Sequence, residues 1–196
     1  MSSTNRKNAS ERHASDYYVT PQSSIKDFLN AFNADFPLGN TPLTILDPCA
    51  GGDAKHLMAY PQAIRQYSGW NVQKLLTIDI RDDSLAEIKM DYLKMSSAST
   101  PFDIVITNPP FNQALDIIDM ALADVKDGGY VIMLLRLNFF GSKQRHEWFV
   151  KNPPFVFYIH STRMKFLDTN STDSIEYMHC VWKKGTQNKF SQSRVI

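Results

Sequence analysis

Apolar positions along this chain fall into short runs, and between the runs lie stretches with helical spacing. Leu43-Thr44-Ile45-Leu46-Asp47, residues 74–79 and Phe102-Asp103-Ile104-Val105-Ile106-Thr107 each read as a buried strand closing on a polar or acidic residue. A longer run over 130–137 and two β-rich runs over 155–160 and 174–182 predict three more strands. Helical spacing begins at Thr20-Pro21, read as N-cap and first helical residue, and continues through Ile25, Phe28, Leu29 and Phe32. Pro37, Gly39 and Pro42 then break it. Further helices are expected over about 53–66, near 83–89, around Leu115, Ile118, Ala121 and Leu122, and near 142–150.

Alternating strands and helices predict an α/β fold: a doubly wound, Rossmann-like, mostly parallel sheet covered on both faces. The last two strands have no helix between them and should form an antiparallel hairpin at one edge. With 196 residues, 43% hydrophobic and 21% charged, the chain suits one globular core. A net charge of +1 means that any polyanion must be held by local clusters. Cys49, Cys180 and the five histidines lack metal-ligand or disulfide-framework spacing, so no metal and a reducing, cytoplasmic setting are expected. No run has membrane-span length and Met1–Lys7 is polar, which predicts neither a signal peptide nor a membrane partner.

In doubly wound sheets ligands bind at the carboxyl ends of the strands, and Asp47, Asp79 and Asn108 fall at three such ends. After Asp47 come Pro48-Cys49-Ala50-Gly51-Gly52-Asp53, whose glycines allow a ligand close to the main chain. This is neither a GxGxxG fingerprint nor a Walker A sequence. Asp47 and Asp53 would repel a phosphate and welcome a cation, while Asp79 suits the paired hydroxyls of a ribose. Each feature alone reads as readily as a turn with aspartate caps; together they favour a nucleoside with a positively charged amino-acid tail. Asn108-Pro109-Pro110-Phe111, closing an apolar strand, presents a side-chain carbonyl, a rigid main chain and a flat ring, the parts needed to grip an amino-bearing base.

On these residues the chain resembles class I S-adenosylmethionine-dependent methyltransferases, most of all the Asn-Pro-Pro-Phe amino-methyltransferases that modify adenine N6 in DNA. The resemblance covers residues 17 to about 137. It implies that Asp47, Pro48, Cys49 and Gly51 hold the methionine part of S-adenosylmethionine, that Asp79 with Ile80 takes the ribose, and that Asp91 and Tyr92 hold the cofactor's adenine. Tyr17, Thr20 and Pro21, in the aromatic Tyr17-Tyr18-Val19-Thr20-Pro21 element, and Asn108 complete that set. Gly52-Asp53 stands where the family more usually has a small residue and a glycine. The resemblance also implies one methyltransferase domain over 16–185; polar composition marks residues 1–15 as a flexible tail and 186–196 as a polar tail.

The exocyclic amine of adenine is a poor nucleophile because its lone pair is delocalised into the ring. The Asn108 side-chain oxygen and the Pro109 carbonyl can each accept one N6 hydrogen, localising the pair toward the methyl group. Pro109 and Pro110 preset those acceptors, and Phe111 can stack on the base. Cys49 lies in the cofactor loop rather than at Asn108, which argues against a thiolate mechanism. Nucleic acid is the expected partner, DNA favoured and RNA open, with Lys143, Arg145, Arg163 and Lys165 as weak phosphate contacts. No separate target-recognition domain is expected; only 138–147 and 162–173 offer loops for that task. A homodimer or a specificity partner stays open. The alternatives are an RNA base methyltransferase (adenine N6 or guanine N2), a protein-amide methyltransferase and a catalytically silent cofactor-binding module.

Overall fold

The computed structural model describes residues 18–167, 172–186 and 190–196. Within them, eight strands form one sheet in the order β3-β2-β1-β4-β5-β7-β6-β8. β1 (Leu43–Asp47), β2 (Val72–Asp79), β3 (Ile88–Lys89), β4 (Phe102–Thr107) and β5 (Val125–Arg136) run parallel. β7 (Tyr177–Lys183) is antiparallel to both β5 and β6 (Val156–Ile159), and β8 (Gln192–Val195) runs parallel to β6 at the edge. The expected α/β fold with an antiparallel terminal hairpin is therefore present.

Side chains alternate across the sheet. Ile104, Ile106, Ile132 and Leu134 face α1 (Gln22–Asp35) and α2 (Ala59–Gln66); Val105, Val131, Met133 and Leu135 face α3 (Ala114–Asp124). Phe28 and Phe32 of α1 are fully enclosed on the first face. α4 (Lys143–Lys151) lays Trp148 and Phe149 against the second.

Four expectations are corrected. The 53–66 helix starts only at Ala59, because Asp53 Oδ1 accepts the N–H groups of Lys55 (2.7 Å) and His56 (2.8 Å) and holds a turn there. The helix near 83–89 is absent: Glu87 N–H donates to Thr77 Oγ1 (3.0 Å) and Met90 N–H to the Asp79 carbonyl (2.9 Å), drawing the chain onto β2 as β3. Residues 192–195, read as polar tail, form β8, and the Ile196 N–H donates to the Ile159 carbonyl (2.9 Å). At the first helix, Pro21 is the N-cap and Gln22 the first helical residue, one position later than expected.

Candidate active site

A cleft open to solvent lies at the carboxyl ends of β1, β2 and β4. Its floor is the loop after β1. Gly51 and Gly52 have φ of 65° and 79°, in the left-handed region that glycine tolerates. A Cβ on Gly52 would fall 2.9 Å from the Met58 side chain and 3.0 Å from Leu85, so close packing also demands glycine there. The loop is tied to β2 by the Asp79 carboxylate: Oδ2 accepts Gly51 N–H (2.7 Å) and Oδ1 accepts Arg81 N–H (2.9 Å).

Asp47 is buried at the end of β1. Its Oδ1 accepts Cys49 N–H (3.2 Å), while Oδ2 has no hydrogen-bond partner among the described residues. Burial pushes its carboxyl up to about 7, the neighbouring Thr107 side chain and the Cys49 N–H opposing the rise and the charge of Asp79 adding to it. Burial and the same acids push the Cys49 thiol up as well, leaving it a poor thiolate.

Asn108 follows β4 directly. Its Nδ2 donates to the Tyr18 carbonyl (3.3 Å) and to Thr20 Oγ1 (3.2 Å). A backbone carbonyl can only accept, so the nitrogen must face Tyr18 and the amide cannot be turned over. Oδ1 therefore points away from that pair, sheltered and without a partner among the described residues. The Pro110 carbonyl accepts Gln113 N–H (3.0 Å), which leads into α3.

Of the residues singled out in the sequence, Thr20, Pro48, Cys49, Asp79, Ile80 and Asp91 line the cleft, joined by Tyr92, Asn108 and Pro110. Asp91 accepts Leu93 N–H (3.1 Å), and the Tyr92 hydroxyl donates to Asp124 Oδ2 (2.7 Å), which anchors this wall to α3. Asp47, Gly51, Pro21 and Pro109 lie behind the lining rather than in it. Phe111 is half-buried outside the lining, with the Arg136 guanidinium 4.5 Å over its ring and Tyr177 at 6.0 Å. Tyr17 lies outside the described residues.

The proposed phosphate contacts divide. Lys143 and Lys165 are exposed. Arg145 Nε donates to the Phe139 carbonyl (2.8 Å), and Arg163 pairs with Glu176 (3.2 Å). Within the loop at 162–173, Met164 and Phe166 are buried, and Leu167 N–H donates to the Val19 carbonyl (3.0 Å), so residues 164–167 brace the Tyr18–Thr20 wall. Sequence reasoning missed Tyr60 and Arg81 in the lining; neither carries a motif, and only the tertiary fold brings them there. Among the described residues, no helix is long and apolar enough to cross a membrane.

Neither a protein-family model nor a curated protein sequence matches the chain. Solved structures match its fold. One, described as a class I S-adenosylmethionine-dependent methyltransferase from Listeria monocytogenes, superposes with a TM-score of 0.64 at 16% identity over 91% of this chain. This chain spans only 65% of that protein's length. Another, described as an RNA methyltransferase from Pyrococcus horikoshii, gives 0.57 at 13% identity, covering 89% of this chain and 94% of that one. The N-methyltransferase NodS from Bradyrhizobium japonicum, in complex with S-adenosyl-L-homocysteine, gives 0.53 at 11% identity over 85% of this chain and 89% of its own. The fold is that of class I methyltransferases.

Proposed function

We propose that this protein transfers a methyl group from S-adenosylmethionine to the exocyclic N6 amine of adenine in nucleic acid, with DNA the favoured polymer. The observation that carries this reading is Asn108: an amide locked by two acceptors on its nitrogen, with its oxygen unpartnered at the wall of the cleft. A sheltered acceptor left unpaired costs about 1–3 kcal/mol, which a hydrogen-bond donor arriving with the substrate would recover.

The cleft fits the proposed cofactor. The half-partnered Asp47 under the glycine loop suits a cationic amino-acid tail, and Asp79 keeps further acceptor capacity for ribose hydroxyls. Gly52 lets Met58 and Leu85 pack close against the loop that lines the cleft. When bound, S-adenosylmethionine supplies an electrophilic methyl on a sulfonium. The chain's own part is to hold the amine: Asn108 Oδ1 accepts one N6 hydrogen, the Pro109 carbonyl the other, and the rigid prolines keep both in place before the base arrives. A base stacking on Phe111 would share the ring with the Arg136 guanidinium.

An RNA base is the second reading, favoured by the fold's likeness to the Pyrococcus protein described as an RNA methyltransferase, nearly all of which this chain matches. Transfer of a tritiated methyl group to DNA, RNA and protein, followed by nucleoside analysis, separates the readings. Label in N6-methyladenine from DNA is the expected result. Cofactor binding with no label in any polymer would overturn the enzyme reading.

A further inference from the structure

The cation over the Phe111 ring is held in place from two sides of the sheet. Arg136 ends β5, which lies between β4, whose end leads to Asn108 and Phe111, and β7, where Tyr177 is its direct partner across the antiparallel pair. Directly opposed residues of such a pair project from the same face. Arg136 Nε donates to the Tyr177 hydroxyl (3.3 Å), and that hydroxyl donates its own proton to Asp173 Oδ2 (2.7 Å). Asp173 is anchored in turn: Oδ1 accepts Ile175 N–H (3.2 Å), and its own N–H donates to the Met164 carbonyl (3.0 Å). Tyr177 is buried, its ring 6.0 Å from Phe111 and 5.2 Å from Phe166.

The hydrogen bonds run in one sense only. A guanidinium can only donate and a carboxylate can only accept, so the Tyr177 oxygen takes the Arg136 proton and sends its own to Asp173. Burial, with Asp173 accepting from it, pushes the Tyr177 hydroxyl well up, so it keeps that proton. The guanidinium is thereby seated 4.5 Å over the Phe111 ring. Phe111 lies in the turn between β4 and α3, outside any regular element, so tertiary contacts set its ring. A cation over a ring face is attracted by the ring quadrupole, and a planar guanidinium on one face restricts a stacking base to the other.

We infer that Arg136, Tyr177 and Asp173 are positioning residues that act through Phe111, orienting its ring for the target base. The inference rests on the stacking role proposed for Phe111, so one readout follows the ring itself. The Phe111 resonance, assigned by its loss in Phe111→Leu, is followed by fluorine NMR in protein labelled with para-fluorophenylalanine. Steady-state kinetics follow methyl transfer to a single-stranded oligodeoxynucleotide that contains adenine. Arg136→Met keeps the reach of the side chain and removes the cation; Tyr177→Phe keeps the ring and removes the hydroxyl. Arg136→Met is expected to move the Phe111 resonance and raise KM for the oligonucleotide about fivefold, the measure of one cation–π contact, with donor affinity unchanged. Tyr177→Phe should move both readouts the same way, with KM up about twofold, and Arg136→Lys should recover part of the loss. In the Phe111→Leu background neither substitution should change KM further, because residues that act through one ring do not add. A Phe111 resonance unmoved in the folded variants would overturn the inference. So would a KM effect that persists in full without Phe111, which would make Arg136 a direct phosphate contact instead. If the wild type methylates nothing, the functional reading fails, and the resonance still decides whether these residues place the ring.

Discussion

Asp103 and Asp47 sit on neighbouring parallel strands, one near the amino end of β4 and the other at the carboxyl end of β1, and both are buried. Asp103 has partners on both oxygens: Oδ2 accepts Thr44 N–H (2.7 Å) and the Thr44 hydroxyl (2.8 Å), and Oδ1 pairs with Lys126. Burial alone would raise its pKa, but Lys126 and Thr44 together hold it below the ordinary carboxylate value. Asp47 accepts one long hydrogen bond from Cys49 N–H, and burial pushes its carboxyl up to about 7. One end of the sheet satisfies its buried acid, and the other leaves it open. The same end also leaves Asn108 Oδ1 unpartnered among the described residues. Such polar groups cost stability in the free protein, and both lie at the end of the sheet where the cleft opens.

The contrast can be broken most forcefully at Asp47. Its folded pKa stands above its unfolded one, so the folded state holds the proton more tightly. The stability this contributes is complete below about 4 and is lost as pH rises through 7. Asp47→Asn removes that titration. Relative to wild type, the variant should gain up to about 4 kcal/mol between pH 4 and pH 8 in urea unfolding. Parallel pH curves for the two proteins would show that Asp47 is not the buried proton holder described here.

Asn108→Ala removes the open acceptor at the same end. Methyl transfer should fall roughly a hundredfold or more in kcat, by analogy with removal of one oxyanion-hole donor, while thermal unfolding stays close to wild type. At the satisfied end the pattern should invert. Asp103→Ala strands the Thr44 donors and Lys126 and should cost roughly 1–3 kcal/mol of stability, with donor affinity in the surviving folded protein unchanged. Gly52→Ala is the smallest expected change. A φ of 79° and the contact with Met58 should cost about 1–2 kcal/mol of stability, and calorimetry should show weaker cofactor binding.

Much of the sheet was legible because its central strands are apolar runs that close on polar residues, and Asp47, Asp79 and Asn108 could be placed at strand ends from that pattern alone. β8 was hidden because Gln192, Ser193 and Arg194 are exposed and join the sheet through the backbone. The short β3 was hidden because its local composition suits a helix, and only hydrogen bonds to Thr77 and Asp79 decide the matter. Within the site, Asn108 was visible as a motif, whereas the partners that lock its nitrogen come from 88 and 90 residues earlier. Arg136, Tyr177 and Asp173 come together only in the folded chain, and Arg136 reaches the Phe111 ring from the end of another strand.

The proposed function requires that the open polar groups at the carboxyl ends of β1 and β4 belong to ligands. A crystal structure of the protein with S-adenosyl-L-homocysteine and adenosine tests it most directly. The expected complex has the homocysteine end over the Asp47 loop, its ribose at Asp79, and the adenosine N6 amine within hydrogen-bond distance of Asn108 Oδ1. A cofactor analogue bound outside this cleft, or a base bound elsewhere with Asn108 Oδ1 still unpartnered, would contradict it.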